Sequence, residues 1–313
     1  MSVCLGIDTS CYTTSVALAS RSGVSSHRKL LPVAAGERGL RQSEAVFAHV
    51  RQIGDLMDEA LRGDVRIDCV CASASPTARE DSYMPVFEVG RAFARSCAAG
   101  LRVPLYLTDH QHGHVSAALY GSGLQKDRFL ALHLSGGTTD ALLCEGERLT
   151  PLFSSLDLHA GQLVDRVGVA LGLPFPSGAH LESLAEGGTP EKIPVSFDGG
   201  DCHLSGAETA ILRMIAQGAQ ARDVAATAYD LLCRTVLKML AAARDQTGVS
   251  DCLLAGGVMS SARLRGLLNA RNEKRGLHLN LHYGKPEFSG DNAVGVALIG
   301  LKRWQADGYG DPS

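Results

Sequence analysis

The feature that most constrains the fold is a hairpin that occurs twice. Val3-Cys4-Leu5-Gly6-Ile7-Asp8 reads as a short apolar strand ending on an acid. Thr9 to Thr14 is a polar turn, and Ser15-Val16-Ala17-Leu18-Ala19 is the returning strand. Further along, Phe129 to Leu134, the turn Ser135-Gly136-Gly137-Thr138-Thr139-Asp140, and Ala141 to Cys144 repeat the theme. A strand–hydroxyl-rich tip–strand unit that recurs far along the chain points to an internal duplication. Each copy would begin one lobe, with the two tips facing each other across a cleft.

Alternating elements fill in an α/β plan. Val46, Val50, Ile53, Leu56, Met57 and Leu61 are spaced for a helix over 43–61 with these residues on its buried face. Cys69 to Ala72 is a short buried strand, Val86 to Ala99 a helix, and Pro104 to Leu107 the next strand. Late in the chain Cys252 to Ala255 is a strand, Gly256-Gly257-Val258 a turn, and Ser261 to Asn269 a helix. The duplication places a boundary near Asp127, dividing the chain into lobes 1–127 and 128–313.

Composition narrows the function. At 313 residues and 45% hydrophobic, the chain can bury one large core or two smaller ones. Thirty basic and 33 acidic residues leave a net charge of −3. With no general basic field, a nucleic acid would need a local patch or a partner. Nine cysteines without a C-x-x-C pair exclude a zinc ribbon and fit buried thiols in a reducing compartment. No basic segment leads a long apolar stretch, and no apolar run reaches membrane-spanning length. A cytoplasmic protein without membrane association is expected.

Three constellations carry chemistry. The hairpin tips and Gly256-Gly257 offer backbone amides and hydroxyls to phosphate oxygens, and Asp8 offers a carboxylate to a cation or its water. Taken singly, each is an ordinary glycine turn; together, in two similar halves, they favour a nucleotide cleft. On a helix, His110 and His114 lie one turn apart on one face, so both imidazoles reach one metal. Asp291 is a candidate third ligand and His133 a candidate fourth; the plain alternative is a solvated, His-rich loop. A metalloprotease is excluded because Gln111 stands where a glutamate base is required. Finally, Asp165 precedes a Pro/Gly turn, Pro174 to Gly178, and either accepts hydrogen bonds from a ligand's hydroxyls or pairs with Arg166 or another neighbour.

Together these motifs resemble the tRNA N6-adenosine threonylcarbamoyltransferase family, formerly described as O-sialoglycoprotein endopeptidases, over nearly the whole chain. Gly6 to Cys11 resembles its G-I-E-T-S-C, His110 to His114 its H-x-x-x-H, and Leu134 to Thr139 its V-S-G-G-x-T. Gly161 to Val167 resembles G-E-A-F-D-K-V, Leu171 to Gly178 L-G-L-x-Y-P-G-G, and Leu204 to Ala210 F-S-G-L-K-T-A. Gly256-Gly257-Val258 with Leu264-Arg265 resembles G-G-V-x-x-N-x-x-L-R, and Gly290 to Ala293 resembles C-T-D-N-A.

The resemblance implies a two-lobed actin/hexokinase/Hsp70-like ATPase fold, its duplicated lobes around a nucleotide cleft. It implies transfer of threonylcarbamoyl from its adenylate to N6 of adenosine 37 in tRNAs reading codons that start with A. His110, His114 and Asp291, with His133, would hold one divalent metal, Fe or Zn. Ser135, Gly136, Gly137, Thr138, Thr139, Asp165, Gly178, Gly256, Gly257 and Ser261 would hold ATP or threonylcarbamoyl-adenylate. Asp8 and Thr13 are the candidate catalytic residues. Helper subunits for tRNA, and pairing with itself or a homologue, are the implied partners.

Departures from the pattern keep two alternatives open. Where the family has two acids after its opening cysteine, this chain has Tyr12 and Thr13. The family's lysine is Glu208, its asparagine is Ser261, and its P-G-P-G-L turn is replaced by Ser73 to Arg79. The alternatives are another ATP- and metal-dependent carbamoyl transfer to a small acceptor, and a non-catalytic paralogue acting as a partner subunit.

Overall fold

A computed structural model describes residues 2–10, 12–32 and 40–309. Cys11, which closes the opening motif, lies outside the described residues. The chain divides into two compact units, Met1–Gly121 with Gly290–Ser313, and Ser122–Ser289. The last segment thus belongs with the first unit, although a division at 127 read from linear order assigns it to the second. Its helix buries an apolar face on the first unit's sheet, and that packing is invisible in sequence order.

In the first unit, β1 (Val3–Thr9), β2 (Thr13–Ser20) and β3 (Gly23–Leu30) form an antiparallel meander. β4 (Cys69–Ser73) adds parallel to β1, and β5 (Leu105–Thr108) parallel to β4. The sheet order is β3-β2-β1-β4-β5. Helices α1 (Gln42–Ala60) and α2 (Val86–Leu101) cover the sheet, α3 (His110–Ser122) follows β5, and α9 (Val294–Trp304) packs on β1, β2 and β4. Gly6 permits that approach: a Cβ there would stand 2.7 Å from the Ala293 carbonyl oxygen. The buried face of α1 differs from the apolar reading. Ala45, His49, Gln52, Ile53, Leu56 and Ala60 are buried, whereas Val50 is 48% exposed. Polar groups of β2 and β3 lie under this helix and exchange hydrogen bonds with its polar side chains, which turns His49 and Gln52 inward.

In the second unit, β6 (Arg128–Leu134), β7 (Thr139–Glu145) and β8 (Arg148–Ser154) form the second meander, followed by α4 (Ala160–Ala170) and α5 (Gly178–Leu184). A small hairpin, β9 (Ser196–Asp198) and β10 (Asp201–His203), leads to α6 (Ser205–Ala216) and α7 (Ala221–Thr247). β11 (Asp251–Ala255) adds parallel to β6, and after α8 (Ala262–Lys274) β12 (Asn280–Tyr283) adds parallel to β11. The order β8-β7-β6-β11-β12 repeats the first sheet strand for strand. The duplication read from two hairpins therefore extends to both complete sheets. At 27 residues, α7 is about 40 Å long and forms the spine of this unit's core. Its buried Leu231, Leu232, Leu237 and Leu240 each contribute about 2 kcal/mol by leaving water.

The eight described cysteines are free thiols, and all but Cys97 are buried, as their scatter in the sequence implies. No described helix is long and apolar enough to cross a membrane.

Candidate functional site

The first unit gathers two imidazoles and a carboxylate at the start of α3. His110 opens the helix, and His114 follows one turn later on the same face. Their Nε2 atoms are 3.0 Å apart. Asp291, just before α9, places Oδ1 3.2 Å from His114 Nε2 and 3.7 Å from His110 Nε2. The approach of α9 to α3 depends on two glycines, because a Cβ on Gly295 would overlap the carbonyl of Gly113.

His110 and Asp291 are held from behind. Asp8 is almost fully buried and accepts a hydrogen bond from His110 Nδ1 at 2.6 Å. Its other oxygen accepts from Ser73 Oγ at 2.7 Å. This pairing keeps a proton on Nδ1 and turns Nε2 toward His114 and Asp291, as the nitrogen that would give up its proton to a metal. Asp291 Oδ2 accepts from Ser10 Oγ at 2.9 Å and Thr13 Oγ1 at 3.3 Å. Arg28 Nη1 donates to the Asp291 carbonyl at 3.4 Å. Burial opposes charge on His110, but Asp8 and Asp291 outweigh it and hold its pKa well above the usual range. Burial likewise opposes ionised Asp291, and the two histidines outweigh it, so this carboxyl sits well below its ordinary value.

The donor set fits a metal ion. Two imidazole nitrogens facing each other at 3.0 Å require a proton or a cation between them. Ligands on a tetrahedral ion with bonds of about 2.0–2.1 Å stand about 3.3 Å apart, so modest side-chain adjustments would close a coordination sphere. Among the described residues, His110, His114 and Asp291 are the group whose ligand atoms lie within 4.8 Å of one another. His133 belongs to the second unit, where it is buried on β6 opposite Asp140. Ser10 falls within the hairpin tip whose hydroxyls mark it as a candidate, whereas Ser73 gives no signal of its role beyond a hydroxyl at a strand end.

In the second unit, three predicted features converge at the carboxyl ends of β6 and β11, which pair in parallel with Ala255 beside His133. The turn after β6 is closed by Ser135 N–H donating to the Thr138 carbonyl at 2.9 Å, leaving Gly136 and Gly137 exposed. Gly161 packs against it: a Cβ there would lie 2.6 Å from the Ser135 carbonyl oxygen. Gly256, with φ +95°, comes so close to the Leu134 carbonyl that a side chain would overlap it, and Gly257 is exposed beside it. The hydroxyl of Thr139 is engaged by the Ala160 amide at 2.8 Å, and that of Ser261 caps α8 by accepting from Leu264 N–H at 3.1 Å.

Asp165 does not bridge to Arg166. It accepts from the Ser177 amide at 2.7 Å, and burial raises its pKa against the pull of that bond. Arg166 turns instead to Glu208 at 3.3 Å, so the acid that replaces the expected lysine has its charge balanced within the chain. Tyr229, missed in the sequence because it lies mid-helix among apolar residues, donates to the Gly178 carbonyl at 3.1 Å. Its hydroxyl links Gly178 with the neighbourhood of Ser261, Glu182 and Asp165.

Residues 34–298 match the family model described as TsaD, tRNA N6-adenosine threonylcarbamoyltransferase. A protein of that name from Methanopyrus kandleri is 30% identical over 96% of this chain and 87% of its own length. One from Pelobacter propionicus is 31% identical over 95% and 90%. Among solved structures, full-length HypF in a phosphate- and nucleotide-bound form superposes with a TM-score of 0.64 at 12% identity, covering 97% of this chain. This chain spans about half of that protein, 47% of its length. A ROK family glucokinase from Streptomyces griseus, in complex with glucose and AMPPNP, gives 0.53 at 14% identity over 96% of this chain and 100% of that one. These likenesses show the actin/hexokinase-like ATPase fold.

Proposed function

Since the chain belongs to the tRNA N6-adenosine threonylcarbamoyltransferase family, we propose that it transfers threonylcarbamoyl from threonylcarbamoyl-adenylate to N6 of adenosine 37 in tRNAs reading codons that start with A. The observation that carries this reading is the His110–His114–Asp291 group, with both His110 and Asp291 oriented from behind.

In the reaction the N6 amine forms a bond to the carbamoyl carbon. The bond from that carbon to the phosphate oxygen breaks, AMP leaves, and N6 loses a proton. A divalent ion, Fe or Zn, held by His110, His114 and Asp291 would supply Lewis-acid polarisation and a template for the donor. Asp8 aims His110 Nε2, whose proton a bound metal would displace, and Thr13 with Ser10 aims Asp291. Both Asp8 and Thr13 thereby act in orientation. Exposed Gly136 and Gly257 suit the approach of donor phosphate oxygens to the backbone, and Gly137, whose amide donates to Ser135 Oγ at 3.3 Å, shapes the turn between. Asp165, Gly178 and Ser261, near Tyr229, suit the donor's nucleoside. His133 stands as a candidate further ligand from its place in the resemblance. With a net charge of −3, tRNA binding calls for helper subunits, one of them a homologue or a second copy, in the cytoplasm.

The test is mass spectrometry of nucleosides from unmodified tRNA incubated with metal-loaded protein, helper subunits and threonylcarbamoyl-adenylate. Threonylcarbamoyladenosine in the digest supports the reading. Its absence, with AMP released and a small acceptor carbamoylated, replaces it with the alternative transfer. No turnover at all leaves the non-catalytic partner reading.

A further inference from the structure

We infer that His49, on α1, is a positioning residue for the His110–His114–Asp291 centre, acting through Thr14 and the first hairpin. The inference rests on the metal-centre reading above. Asp8 and Thr13 extend from the ends of β1 and β2 toward the centre. Their neighbours Thr9 and Thr14, cross-strand partners, extend from the opposite face of the sheet toward α2 and α1. Thr9 Oγ1 donates to the Val86 carbonyl at 2.8 Å and accepts from the Gly90 amide at 3.0 Å. Thr14 Oγ1 is 2.8 Å from His49 Nδ1 and donates to Gln52 Oε1 at 3.0 Å. The hairpin end is therefore clamped on one face while it supports the centre on the other.

Proton bookkeeping settles the role of the imidazole. Gln52 Nε2 donates to the Leu30 carbonyl at 3.2 Å, which turns Oε1 toward Thr14. The single hydroxyl proton of Thr14 goes to that oxygen. His49 Nδ1 must then carry a proton and donate to Thr14 Oγ1. His49 is fully buried, and burial favours the neutral ring, which carries a single proton. Losing the imidazole donor frees the strand end that carries Thr13, whose 3.3 Å bond is the longer of the two on Asp291. An amide N–H at the same place would keep it.

The experiment is a Co(II) titration of the full chain, read by visible absorption and by chelator competition. It compares the native protein with His49→Ala, His49→Asn, Thr14→Val and Ile53→Ala. The expected result is an affinity about tenfold lower and an altered Co(II) spectrum for His49→Ala and Thr14→Val, in the manner of outer-shell partners. His49→Asn restores both, and Ile53→Ala, a core truncation on the same helix, leaves both unchanged. Native-like affinity and spectrum in His49→Ala overturn the inference alone, as does failure of His49→Asn to rescue. Should His49→Ala not fold, Thr14→Val decides. A native protein that binds no Co(II) overturns the metal-centre reading and the inference with it.

Discussion

Asp8 and His110 are joined by a 2.6 Å hydrogen bond from the imidazole Nδ1 to the carboxylate Oδ2, with the other carboxylate oxygen taken by Ser73. The two residues are 102 positions apart, and this contact decides which nitrogen of His110 faces Asp291. Asp8→Ala should therefore lower metal affinity by about 10- to 100-fold, the usual effect of losing a carboxylate behind a ligating histidine. Isothermal calorimetry with Zn(II) measures it; an unchanged affinity would remove Asp8 from the site.

Two glycine substitutions should act in opposite directions. Gly295→Ala sets a methyl against the Gly113 carbonyl, so α9 must withdraw from α3 and carry Asp291 with it. Thermal stability and metal affinity should fall together. Gly266 lies exposed within α8 with open space around it, and Gly266→Ala should stabilise by about 0.5–1 kcal/mol. Thermal melts of the two variants, with Zn(II) titration of the first, check both.

Ser261 should prove exchangeable for the family's asparagine as far as folding goes. Its side chain accepts from Leu264 N–H at the start of α8, and asparagine caps equally well. Ser261→Ala should cost about 1 kcal/mol and Ser261→Asn close to nothing, by urea denaturation. Equal losses in both variants would show that the hydroxyl does something other than cap.

Acid should unload a specific ion-pair triad. Burial raises the Asp230 pKa, but Arg271 at 2.5 Å and Arg234 at 2.7 Å outweigh it and hold the carboxyl below its ordinary value of 3.8. A depressed folded-state pKa gives stability that is present in full above the unfolded value and is lost as pH falls through the folded one. Asp230→Asn should cost roughly 3 kcal/mol at neutral pH by leaving two half-buried guanidinium groups unbalanced. The urea midpoints of variant and native protein should converge below pH 3.8. A constant gap down to lower pH would contradict the assignment.

The linear order of residues determined the local structure and the chemistry on offer. Short continuous apolar runs bounded by Gly, Ser and Thr mark β1, β2, β6 and β7, because these strands are buried on both faces. The spacing of His110 and His114 already places two imidazoles on one helical face. Only the tertiary structure decided what those groups meet. Asp291 reaches the histidines because α9 returns to the first unit's sheet, a consequence of packing between Gly6, Gly113 and Gly295. Val50 rather than Gln52 faces outward on α1, because burial there follows the hydrogen-bonding groups of β2 and β3 rather than apolar count. Arg166 chose Glu208 over its neighbour Asp165 because residues adjacent on a helix point to different sides. Periodicity is a local property of the chain, whereas partners are set by which faces the fold brings together.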